Sequence, residues 1–138
     1  MKKFLLVPIV LLAALLPPQL LSQSKPTIAV LTLEAKNVGQ ETADAVADIL
    51  STELFNCQRF KVIERQAIMR ILEEQKLQMT GVTDMGRAVE IGKILNVEKI
   101  LIGSVSRLGE SYIINTRLVD VKTAALEVAQ NVTSKRGE

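Results

Sequence analysis

Apolar and polar positions alternate with changing period along this chain, and the changes mark its elements. Thr27 to Leu33, TIAVLTL, is a β-branched and apolar run without alternation, the pattern of a strand covered on both faces. Asn37 and Gly39 break it. From Glu41 to Asn56, Ala43, Val46, Ala47, Leu50 and Leu54 recur at steps of three and four, with Asp44, Asp48 and Ser51 on the other side. This is an amphipathic helix. FKVIE (60–64) reads as a second strand. A helix from about Gln66 to Met79 follows, with Ile68, Ile71, Leu72 and Met79 on one stripe and Glu73, Glu74 and Lys76 opposite. Thr80-Gly81 is its stop signal, because glycine accepts the left-handed turn at a helix end. Thr83 or Asp84 caps a third helix that runs to about Leu95 with Met85, Ala88, Val89, Gly92 and Leu95 inward.

The last forty residues change to strand period. KILIGSVSRLG and SYIINTRLVDVK are strand-like and flank Gly109-Glu110-Ser111, a hairpin signal. Lys122-Thr123-Ala124 leads into a final strand, Leu126 to Thr133. The predicted order is β-α-β-α-α-β-β-β, a single α/β (α+β) domain whose mixed sheet of about five strands carries helices packed on it.

The start of the chain has a different use. Lys2 and Lys3 precede an apolar run from Phe4 to Leu16, Pro17-Pro18 ends it, and Ser22-Gln23-Ser24 supplies small residues. This is the layout of a secretory signal peptide, and the run is shorter than the roughly 20 residues that cross a bilayer. Residues 1–24 are therefore expected to direct export, leaving one domain over 25–138. Without Lys2 and Lys3 the 17 basic residues fall to 15, against 15 acidic. A near-neutral chain without a basic patch does not suit duplex nucleic acid. Four aromatics, Phe4, Phe55, Phe60 and Tyr112, make no stacking platform for single strands.

Candidate chemistry is sparse. The chain has no histidine, which removes histidine-dependent triads and zinc sites. Cys57 is the lone cysteine and reads, with Leu54 and Phe55, as the buried end of the first helix. No phosphate-binding glycine loop occurs, and no cofactor is implied. Asn131-Val132-Thr133 matches the short glycosylation pattern, but its place is in the last strand. Carboxylates remain: Glu64 and Asp120 at strand ends, where they are expected to cap helices or pair with Arg65 and Arg117, and Glu73-Glu74. Neighbours on a helix do not face each other, so Glu73 and Glu74 form a solvated face, with Glu73 and Lys76 spaced as a surface ion pair. A small carboxylate-dependent hydrolase is the remaining catalytic reading.

Residues VIERQAIMRILEEQKLQMTG and GRAVEIGKILNVEKILIGSVSRLGESYIINTRLVDVKT resemble the curli production assembly/transport component family (CsgG-type) over about Pro26 to Ser134. The domain type is similar to the soluble part of outer-membrane activators of peptidoglycan synthases and to the amino-terminal domain of the Tol-system propeller protein. The resemblance implies a periplasmic assembly domain without catalysis, either soluble or peripherally attached at the outer membrane, that binds other envelope proteins, with a second copy of itself as one candidate partner. Channel members of the family carry an acylated cysteine after the signal; LLSQSK has none. They also insert membrane hairpins, which need roughly 40 further residues at about 9–11 per strand. Glu64 and Arg65 then mark the family's strand-to-helix joint. Arg65, Arg70, Glu73 and Lys76 are candidate subunit contacts. The final strand, through Leu126, Val128, Gln130 and Val132, is a candidate edge for strand addition.

Overall fold

An unbroken apolar strand has to be covered on both faces, and the first strand is. In the computed structural model, which describes residues 24–77 and 82–135, β1 (Thr27–Val30) is the inner strand between β3 (Lys61–Val62) and β4 (Lys99–Leu108), both parallel to it. Ile28 and Val30 point into one apolar layer and Ala29 into the other. β5 (Ser111–Asp120) and β6 (Leu126–Lys135) complete the sheet as antiparallel neighbours, in the order β3-β1-β4-β5-β6. The hairpin between β4 and β5 turns on Gly109 (φ 61) and Glu110. A positive φ at the first loop position suits glycine.

A sixth strand, β2 (Glu34–Lys36), precedes the Asn37–Gly39 break where the sequence pattern predicts none. It pairs in parallel with Ser104–Ser106 of β4, beyond the stretch that pairs with β1. Three residues, Leu31 to Leu33, pass two of β4, Ile102 and Gly103, so the chain bulges between the two strands. Asn37 ends β2 with φ 56.

Among the described residues three helices cover the sheet. α1 (Gln40–Asn56) lies on the face of Ile28, Val30, Leu101 and Val105 and buries Ala43 and Ala47 against them. α2 (Arg65–Glu74) and α3 (Met85–Ile94) cover the opposite face, where Ile68, Leu72, Ala88 and Ile91 meet Ala29, Leu31, Ile100, Ile102 and Val119. Each fully buried leucine or isoleucine there contributes roughly 1.5–3 kcal/mol. Gly92 lets α3 approach the sheet: a Cβ on it would lie 2.5 Å from Cγ2 of Val121.

The helix ends differ from the sequence expectation. α2 stops at Glu74, short of Met79. Met79 and the Thr80-Gly81 stop lie outside the described residues. The left-handed position after the helix is Lys76 (φ 54). The Lys76 N–H donates to the Glu73 carbonyl and the Leu77 N–H to the Leu72 carbonyl, a Schellman pair. α3 ends the same way at Asn96 (φ 54), with Asn96 N–H on Lys93 and Val97 N–H on Gly92. At its start Asp84 is the cap: its carboxylate accepts from the Arg87 N–H at 2.8 Å.

Candidate functional site

The junction between β3 and α2 is built around Arg65. Asp44 and Asp48 are one turn apart on α1, so a single guanidinium reaches both. Arg65 Nη2 lies 2.9 Å from Asp44 Oδ1 and Nη1 2.9 Å from Asp48 Oδ1. The same group donates to the Asp44 carbonyl and to Thr32 Oγ1. Four acceptors from α1 and the β1–β2 link converge on one half-buried side chain at the first position of α2. Glu64 takes no part. It is the exposed residue before α2, its side chain caps nothing, and only its carbonyl serves the helix, accepting from the Ile68 N–H. Arg65 thus pairs with α1 rather than with Glu64 or Asp120. Arg70, Glu73, Glu74 and Lys76 are exposed. Glu73 and Lys76 form no ion pair, because α2 has ended before Lys76 and its backbone has turned left-handed.

Asp120 is held by Lys99, the residue opposite it across β4 and β5, and not by Arg117. Lys99 Nζ is 2.6 Å from Asp120 Oδ2 and also binds Glu127 of β6. The other Asp120 oxygen accepts from the Thr123 N–H at 2.8 Å. Arg117, three residues before Asp120, points from the other face of the sheet. The Lys99 hydrogen bond and the Thr123 N–H hold the Asp120 carboxyl far below the usual carboxylate range. The hydrogen bonds that the Lys99 ammonium donates to Asp120 and Glu127 raise Lys99 in turn. Glu64, beyond the end of β3, and Asp120 of β5 are three strand spacings apart, about 14 Å. That exceeds the roughly 5–10 Å of an acid–base pair. Among the described residues no three metal-ligating side chains cluster.

The end of α1 is exposed, not buried as the sequence pattern predicts. Cys57 and Phe55 are exposed, Phe55 at 61%, and the Cys57 thiol donates to the Leu54 carbonyl. α1 overhangs β3 here, and a two-residue strand is too short to cover its last turn.

The surface that remains unused is β6. It forms one end of the sheet, ten residues long and exposed throughout. A bulge at Leu118/Val119 sets Leu126 opposite Val119, so Leu126 leaves the alternation of Val128, Gln130 and Val132. Those three sit opposite Leu118, Thr116 and Ile114, on the α1 face of the sheet but beyond the reach of α1. Val128 and Gln130 border a groove of about 300 Å³ whose other walls include Leu50, Leu54, Phe60 and Leu118. On the opposite face Asn131 Nδ2 donates to Asn115 Oδ1 at 2.7 Å. The exposure of β6 on both faces could not be read from its alternation.

The family model for the curli production assembly/transport component CsgG matches residues 16–113, and the protein belongs to that family. The match ends early in β5, so β6 lies outside it. No curated protein matches the chain. Among solved structures, the chain is similar to the LpoB C-terminal domain from Salmonella enterica, with a TM-score of 0.69 at 15% identity over 83% of this chain and 85% of that one. It is also similar to the lipoprotein GNA1162 from Neisseria meningitidis, with 0.65 at 13% over 81% of each. The PelC dodecamer from Paraburkholderia phytofirmans gives 0.53 at 13% over 80% and 71%. At these identities the likeness establishes the fold. Among the described residues no helix is long and apolar enough to cross a membrane.

Proposed function

We propose that this protein is a non-catalytic component of a cell-envelope assembly or transport system of the curli type, working by protein–protein contact. On this reading residues 1–24 export it to the periplasm, where it acts alone or in association with the outer membrane, without a cofactor. The observation that carries the reading is β6, an unprotected sheet edge beside an apolar groove, in a member of the CsgG family. An exposed edge offers a row of unpaired N–H and C=O groups to an incoming strand. Val128, Gln130 and Val132 would flank such a strand, and the exposed Arg70, Glu73 and Lys76 on or just beyond α2 offer a second, charged contact. Arg65 serves this surface indirectly, by fixing α2 to α1.

A second reading, an adaptor that activates a cell-wall synthase, is favoured by the LpoB likeness, which runs over most of both chains. Cross-linking in intact cells, followed by sizing and identification of the bands, separates the two. Bands that hold this chain with itself or with export components support the first reading, and a band that holds a peptidoglycan synthase supports the second. A chain that stays uncross-linked throughout overturns both.

A further inference from the structure

Resting on the reading of β6 as a contact edge, we infer that its partner is β6 of a second copy of this chain, paired antiparallel about Gln130. The two ends of the sheet are treated differently. The end opposite β6 consists of two short pieces, the two-residue β3, which begins with the exposed Lys61, and the three-residue β2, which carries Glu34 and Lys36. Short, charged strands are how proteins keep an edge closed. β6 runs for ten residues without proline, and Val128 to Ser134 carries no charge. The one acidic side chain of β6, Glu127, is turned back onto Lys99. Between Val128 and Ser134, short of the terminal Lys135, no charge repels an incoming strand.

The sequence of the edge complements itself. Facing residues in an antiparallel ladder share a side of the sheet, so the residue numbers of each pair must sum to an even value. Pairing about Gln130 sets Val128 opposite the second copy's Val132, Val132 opposite its Val128, and Gln130 opposite its own counterpart. All six lie on the face that carries Ile114 and Leu118. The β-branched pairs meet across the seam, and the two glutamine amides, each both donor and acceptor, satisfy one another. Pairing about Asn131 instead sets Val128 against Ser134 and Val132 against Gln130, which leaves no apolar pair. A two-fold axis through the Gln130 pair, perpendicular to the sheet, keeps the grooves of both copies on one side. It uses the same patch twice, as an isologous contact does.

Register-specific cysteines test this in the full exported chain with Cys57→Ser. Facing Cα atoms in such a ladder lie about 4.5–5.5 Å apart, within the roughly 4.4–6.8 Å span of a disulfide. Under mild oxidation Gln130→Cys is expected to become a disulfide-linked dimer. Val128→Cys alone is expected to stay monomeric on the gel, its two copies being offset by four residues, about 13 Å. Val128→Cys mixed with Val132→Cys is expected to link. In sedimentation, Val132→Lys in the otherwise unchanged chain should halve the mass from two chains to one with the circular dichroism unaltered. Gln130→Cys that stays unlinked, or a parent chain that sediments as a monomer or a larger ring, overturns the inference. If Gln130→Cys stays unlinked while Val132→Lys still removes the cross-link to another envelope protein in cells, the self-pairing fails and the edge-contact reading stands. If Val132→Lys changes no cross-link, both fail.

Discussion

Lys99 and Asp120 face each other across β4 and β5, Nζ 2.6 Å from Oδ2, and Glu127 of β6 reaches the same ammonium. One lysine thereby joins the last three strands at the end of the sheet opposite the Gly109 hairpin. Asp120 is lowered, so its contribution to stability is present above the ordinary carboxylate pKa of about 3.9 and is lost as pH falls through its own, lower value. Lys99 is raised, so its contribution is present below about 10.4 and lost as pH rises through its own, higher value. Lys99→Met is therefore expected to lower the melting temperature at pH 7, with a gap that narrows below pH ~4 and above pH ~10. Carbon-13 titration of the Asp120 carboxyl should show it moving up toward the usual range in the variant, with the Thr123 N–H still holding it below that range. A carboxyl that titrates alike in both proteins rules the pair out as the cause.

Arg65 holds α1 and α2 to the start of the sheet through four acceptors. Arg65→Met removes all of them, while the partly exposed Asp44 and Asp48 recover water. Hydrogen bonds to charged groups are worth about 1.5–3 kcal/mol when buried, and exposure here discounts that to roughly 1–2 kcal/mol. Arg65→Lys should recover less than half, since an ammonium cannot present the planar fork that spans both carboxylates. Urea denaturation midpoints measure both, and a lysine variant as stable as the parent would sink the fork argument.

Gly92 is required by Val121. Alanine is worth about 1 kcal/mol more than glycine in a helix interior, yet its Cβ would lie 2.5 Å from Val121 Cγ2 and 3.1 Å from Cγ1. Val121 is buried, so it cannot swing aside. Gly92→Ala should therefore destabilise by roughly 1–2 kcal/mol net. With Val121→Ala in the background the same change should become neutral or stabilising. The test is the sign of Gly92→Ala in each background; one that does not change refutes the steric account.

Lys76 closes α2 with φ 54, where a side chain crowds its own carbonyl. Lys76→Gly relieves this and loses some unfolded-state advantage, for a net gain of about 0.5 kcal/mol. Asn96→Gly should give less, because asparagine tolerates the left-handed region. Thermal melts in which Asn96→Gly gains as much as Lys76→Gly would contradict this.

These residues also show where the fold was legible. The mixed sheet, α1 and the β4–β5 hairpin follow from local periodicity and turn residues. β2 was not readable, because Glu-Ala-Lys has little strand preference and becomes a strand by lying along β4. The end of α2 was misplaced because the terminating residue is a lysine, and glycine was the signal sought. Cys57 was misassigned because its helix outruns the strand beneath it. For the junction, the sequence singled out Arg65 but not its partners, which lie 17 and 21 residues away on a face that reads as solvent. The β6 bulge, which removes Leu126 from its alternation, left no mark in the pattern.

The two-residue β3 has a consequence for assembly. A sheet with two receptive edges can be extended without limit, each added molecule presenting a fresh edge to the next, and such growth yields fibres. Here one end offers ten residues of backbone in one run and the other only two short pieces, the two residues of β3 and the three of β2, so a molecule that joins through β6 brings no comparable acceptor with it. Strand addition therefore terminates at its first step. If β6 is the contact edge proposed above, these short strands let the molecule take part in strand pairing without itself becoming a filament.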